Sequence, residues 1–154
     1  MVLGPLAGFG STPAVGIGEE NEKNTPVYLQ QATKRLAGHL GDAIADGYRL
    51  SPGGFSIAGG WMKQSRRDWV EMYNIDLTKG TRYRFIASGD NDTEDLDLRI
   101  VDGDQNVLAK DTTTASEAIV DFSPRVSARY HIELRLYASR RNLPCVCLTA
   151  ALTR

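Results

Sequence analysis

Asp95-Leu96-Asp97-Leu98-Arg99-Ile100-Val101-Asp102-Gly103 is the stretch on which the reading of this chain turns. Leu96, Leu98 and Ile100 fall on one side of an extended backbone, Asp95, Asp97 and Arg99 on the other, and Asp102-Gly103 is a turn pair. Successive side chains of a strand point to opposite faces, so this alternation describes a strand with one face in a core. The pattern continues in both directions. Tyr130, Ile132, Leu134 and Leu136 alternate with His131, Glu133 and Arg135, the cleanest run in the chain. Upstream, Trp69, Tyr73, Ile75 and Leu77 share a face, and Tyr83, Phe85 and Ala87 follow the Lys79-Gly80 turn. Downstream come Val107 and Ala109, then Ala118, Val120 and Phe122 before Pro124, and finally Val146, Leu148, Ala150 and Leu152. About seven or eight short strands with turns at this spacing predict a mainly β chain, an antiparallel β-sandwich rather than a parallel sheet wrapped in helices.

The residues before this series divide by composition. Residues 1–24 are an extended, Gly-rich tail, residues 25–60 a helix and a Gly-rich connector, and residues 61–154 the sandwich. Asn24 or Thr25 can cap the helix, with Pro26 in its first turn and an apolar row at Leu29, Thr33, Leu36, Leu40 and Ile44. Gly38 and Gly41 each cost such a helix about 1 kcal/mol relative to Ala, so it depends on packing. Gly47 is placed to end it. The connector holds Pro52-Gly53-Gly54 and Gly59-Gly60, which lack the lysine and spacing of a phosphate-binding loop and read as turns.

A chain of 154 residues with 42% apolar and 24% charged residues is one ordinary globular domain by size. Its net charge of −1 argues against a broad nucleic-acid footprint. No run approaches the roughly 18–20 apolar residues that cross a bilayer as a helix. The leading segment lacks the basic start of a secretory signal, and Gly4, Pro5, Gly8 and Gly10 interrupt it. So glycine-rich a segment cannot bury enough of itself to offset its ordering entropy. Its apolar residues Leu3, Leu6, Phe9, Val15 and Ile17 are therefore expected to meet another protein subunit.

No residue set forms a catalytic signature, and the chain is not expected to be an enzyme. His131 alternates outward as a surface histidine, and no nucleophile motif accompanies it. Cys145 and Cys147 share a strand face at a spacing too short for an unstrained bridge, and packing as small apolar residues is favoured over a bond. The acidic run Asp90, Asp92, Glu94, Asp95, Asp97, Asp102 and Asp104 is the sharpest polar feature. Asp90, Asp92, Asp95 and Asp97 could supply oxygens to a calcium ion, the one cofactor considered. Alternatively, Asp90-Asn91-Asp92 and Asp102-Gly103-Asp104 are turn residues only. A second candidate surface is Arg66-Arg67 flanked by Trp61, Met62 and Trp69, residue types enriched at interface cores. Trp69 falls in the alternating phase and is read as core.

Leu77-Thr78-Lys79-Gly80-Thr81-Arg82-Tyr83-Arg84-Phe85, Asp95-Leu96-Asp97-Leu98, Val107-Leu108-Ala109-Lys110-Asp111, Phe122-Ser123-Pro124 and Tyr130-His131-Ile132-Glu133-Leu134 follow one another in an order that resembles the bacterial pre-peptidase C-terminal domain family. The resemblance covers roughly residues 69–152. It implies a small jelly-roll-like sandwich outside the cytoplasm, non-catalytic, sometimes with a bound calcium ion. No peptidase precedes the module here, so service to an attached protease does not carry over. Two functions are expected on these grounds. One is an accessory subunit docking through its tail and the Trp61–Trp69 surface onto a larger periplasmic or extracellular, membrane-associated assembly. The other is a calcium- or glycan-binding module of a secreted hydrolase system.

Overall fold

A computed structural model describes residues 26–52 and 56–154; the tail residues lie outside it, and so do the proposed caps Asn24 and Thr25. The chain is mainly β. Helix α1 (Pro26–Ala45) is followed by β1 (Arg49–Leu50), β2 (Ile57–Met62), β3 (Val70–Leu77), β4 (Tyr83–Gly89), β5 (Thr93–Val101), β6 (Val107–Asp111), β7 (Glu117–Phe122), β8 (Ala128–Ser139) and β9 (Cys145–Thr153). β4 lies between β9 and β7 in the first sheet, and β1 and β2 both pair with the far side of β9. The second sheet runs β3-β8-β5-β6. Every pairing is antiparallel. Apart from the two-residue β1, this alternation of strands between two four-stranded sheets is the jelly-roll order.

The core lies between the sheets and is built by the alternation read above. Leu96, Leu98 and Ile100 of β5 face Ile132, Leu134 and Leu136 of β8, with Phe85, Ala87 and Val120 opposite from the first sheet. Leu98 pairs with Leu134 and Ile100 with Ile132, so the apolar phases of the two central strands coincide. A second, smaller core lies on the outside of the first sheet, where Leu36 and Ala43 of α1 pack with Ile86, Ala150, Leu152 and Tyr48.

Three sequence expectations need correction. The helix is present and ends before Gly47, whose φ of +90° is the left-handed stop a glycine supplies. Its buried row, however, is Ala32, Leu36 and Ala43, whereas Leu29, Thr33 and Ile44 are exposed. Small alanines let the helix sit close on the sheet, and the larger side chains are turned to its flank. In β9 the row Val146, Leu148, Ala150 and Leu152 faces outward toward α1, and Cys145, Cys147 and Ala151 face the sandwich interior. A strand covered on both faces is apolar in both phases, so alternation cannot choose between them. Trp69 is not core. It is half-buried on the outer face of the second sheet, beyond the start of β3.

The stretch expected as a connector contributes β2, whose Met62 reaches the core and whose Ala58 packs against it. Gly59 explains how so glycine-rich a segment forms a strand. A Cβ there would collide with the Cys147 carbonyl and lie 2.7 Å from Leu148 Cδ2, so only glycine allows β2 this close to β9.

Candidate interaction surfaces

The outer face of the second sheet is the most organised polar surface. Its outward residues on β5 and β8 form crossed pairs: Arg135 Nη2 lies 2.7 Å from Asp97 Oδ2, and Arg99 pairs with Glu133. Asp97 and Glu133 are buried although they lie on an outer face. Trp69 is the cover. Its ring stacks with two guanidiniums, with Arg99 4.4 Å and Arg135 4.5 Å from its centroid. Tyr137 extends the row, 5.1 Å from Arg135 and 5.6 Å from Arg66. Arg135 also donates to the Arg66 carbonyl at 3.1 Å, which holds the 63–69 loop against the sheet. Planar guanidiniums stack on aromatic faces while keeping their edges for carboxylates, and this row uses both properties. Farther along, His131 Nδ1 is 3.1 Å from Glu71, and Arg129 bonds Asp76 at the rim.

The segment from Trp61 to Trp69 therefore does not form one patch. Trp61 stands on the outer side of the first sheet, 6.5 Å from the Tyr28 ring, whereas Trp69 covers the second sheet. Arg66 and Arg67 are exposed in the loop between them.

The four aspartates of the calcium expectation divide into two pairs. Asp90 is fully buried: its Oδ1 accepts from Asp92 N–H at 2.9 Å and its Oδ2 from Val146 N–H at 2.8 Å. It ties the β4–β5 turn to β9, the turn role weighed against metal binding. Asp92 lies 3.6 Å from Arg140. Asp97 is held by Arg135. Asp95 differs, because its Oδ1 is buried and makes no hydrogen bond. Burial, then the Asp97 charge beside it, raises its carboxyl above the usual carboxylate range. Among the described residues no group of three or more His, Cys, Asp or Glu is arranged to hold a metal. The thiols of Cys145 and Cys147 lie in the core and point at the Leu143 and Cys145 carbonyls.

Two further surfaces are not among those expected from the sequence. At one end of the sandwich, Leu108, Phe122, Val126 and Tyr130 line a cavity of about 560 Å³ rimmed by Asp102, Asp104, Arg125 and Arg129. On the first sheet, exposed apolar side chains gather along one flank of α1 and the neighbouring edge strands: Leu29, Ile44, Leu50, Ile57 and Trp61, each between 45% and 57% exposed. The signal for the second surface was available. The row Leu29, Thr33, Leu40 and Ile44 is the helix's second apolar stripe, which periodicity alone merges with the buried one. No helix among the described residues is long and apolar enough to cross a membrane. No protein-family model matches this chain, and no curated protein matches its sequence.

Proposed function

We propose that this protein is a non-catalytic accessory subunit that docks, through its leading segment and one edge of the sandwich, onto a larger membrane-associated assembly outside the cytoplasm. The observation that carries this reading is the edge of the first sheet, where β2 presents Ile57 and Trp61, and the loop that follows presents exposed Lys63, Arg66 and Arg67. An apolar strand edge running into cations suits a protein partner, because large aromatics and arginines contribute most at interface centres. Leu3, Leu6, Phe9, Val15 and Ile17 add apolar contacts from the segment before the helix. The compartment rests on the resemblance to the pre-peptidase C-terminal domain family.

The test is co-purification from the source membranes. Removal of residues 1–20 is expected to abolish it while circular dichroism retains the β signature. Undiminished recovery of the partner with the shortened chain overturns the reading.

One observation favours a second reading, a calcium-binding module: the buried, unbonded Asp95 Oδ1 beside Asp97. A cation bound only by the folded state raises the melting midpoint. Melting with millimolar calcium and with a chelator decides it, and identical midpoints exclude it.

A further inference from the structure

The cavity at the end of the sandwich lies where the edges of the two sheets part. β6 ends the second sheet and β7 the first, so both are edge strands. Near their connection they are stitched together, because Asp111 at the end of β6 accepts the Ile119 N–H of β7 at 2.9 Å. At the other end, by Leu108 and Phe122, the space of about 560 Å³ opens. That volume is within the range of pockets that enclose small ligands. The register explains how Leu108 comes to line it. Ile100 pairs with Ala109 and Val101 with Val107, so Leu108 is the extra residue of a bulge, a device that re-aims a side chain. Phe122 and Tyr130 meet edge to face with centroids 5.5 Å apart, and with Leu108 and Val126 they give the cavity its apolar lining.

Both loops at the mouth are held by hydrogen bonds within the fold. Tyr130 Oη donates to the Val126 carbonyl at 2.6 Å, and the N–H groups of Gly80 and Lys79 bond the Pro124 carbonyl and Ser127 Oγ. These fix the β7–β8 loop. The β5–β6 loop turns on Asp102, which accepts from the N–H groups of Asp104 and Asn106, each at 2.9 Å. Charge is sorted between the two loops: Asp102 and Asp104 stand on one side, Arg125 and Arg129 on the other. Asp102 is engaged by its own turn, and Arg129 by Asp76. Among the described residues, the exposed side chains of Asp104 and Arg125 form no ion pair or hydrogen bond.

We propose that this cavity binds a short apolar peptide by its free ends, the ammonium at Asp104 and the carboxylate at Arg125, with its side chains against Leu108, Phe122 and Tyr130. A ligand of a single charge would leave one of the two ions unmatched, and an uncharged ligand would match neither. A peptide with free termini carries both charges, separated by an apolar middle. The forked guanidinium of Arg125 suits a carboxylate. Exposed charges give little affinity, so the apolar lining supplies most of it and the two ions set the direction in which the peptide lies. The leading segment and β2 take no part, so this site stands or falls apart from the docking proposed above.

Titration of the full chain with the tripeptide Leu-Ala-Leu, followed by methyl and aromatic resonances, tests it. Saturable shifts are expected at Leu108, Phe122 and Val126, with none at Leu29 on α1. Leu108→Asn, at an exposed position, is expected to weaken binding more than about tenfold while the core methyl shifts stay in place. Asp104→Asn and Arg125→Gln should each weaken it about fivefold. The pairing has a stricter signature. The N-acetylated tripeptide should bind wild type and Asp104→Asn alike, and the C-amidated one should bind wild type and Arg125→Gln alike. No shifts at millimolar peptide, shifts centred on another face, or binding indifferent to blocked ends overturns the proposal.

Discussion

At the scale of single residues, the alternation of the sequence assigned most side chains to a face but not to a role. Asp97, Arg99, Glu133 and Arg135 point outward as expected, yet two of them are buried, because Trp69 closes over the pairs they form. A buried ion pair is not stabilising by itself; removing its cover or one partner is costly. Trp69→Ala is therefore expected to lower stability by about 2 kcal/mol, from two lost stacking contacts and lost apolar cover. Trp69→Phe should lose less, and urea denaturation measures both. Asp95 offers a test with the opposite sign. Its pKa is raised in the fold, so the folded state binds its proton more tightly than the unfolded chain does. Its contribution is favourable in acid and is lost as pH rises through the carboxylate range. Asp95→Asn should thus stabilise at pH 7 and lose that advantage near about pH 3. Equal gains at both pH values would show that burial and the Asp97 charge are not the cause.

At the scale of elements, the helix and β2 show where local pattern gives way to packing. Gly38 and Gly41 are helical and have open space where a Cβ would stand. Gly38→Ala and Gly41→Ala are each expected to add about 1 kcal/mol, read as a higher denaturant midpoint. Gly59 is the contrary case. Gly59→Ala pushes a methyl into the Cys147 carbonyl and should cost about 2 kcal/mol or detach β2 from β9. Amide exchange at Gly60 and Met62 would report the detachment. The strands of the central pair were legible because each has one wet and one dry face. β9 was read in the wrong phase because α1 dries its second face as well. β2 was missed since its pairing depends on a glycine's fit against Leu148, and glycine in sequence signals a turn.

At the scale of the whole molecule, the helix and the sandwich share the first sheet. Ile86, Ala150 and Leu152 are covered by α1, and the reverse sides of the same strands carry Phe85 and Ala151 into the main core. Arg84 fastens the arrangement, bonding Asp121 of β7 and Asp46 after the helix while stacking 4.4 Å from Tyr48. Helix and sheets should accordingly unfold together. Coincident transitions by far-ultraviolet circular dichroism and tryptophan fluorescence are expected, and a helix that melts earlier would refute the shared core. The sequence by itself determined the antiparallel β-sandwich, the helix before it and the turns at Lys79-Gly80 and Gly103-Asp104, because strand and helix periods are local and repeat along the chain. Only the tertiary structure decided that Trp69 is a cover, that Asp90 is a tie, that Asp95 Oδ1 is buried without a hydrogen bond, and that exposed apolar side chains gather beside α1. Those roles depend on which residues distant in sequence come within a few ångströms, and no local period encodes that.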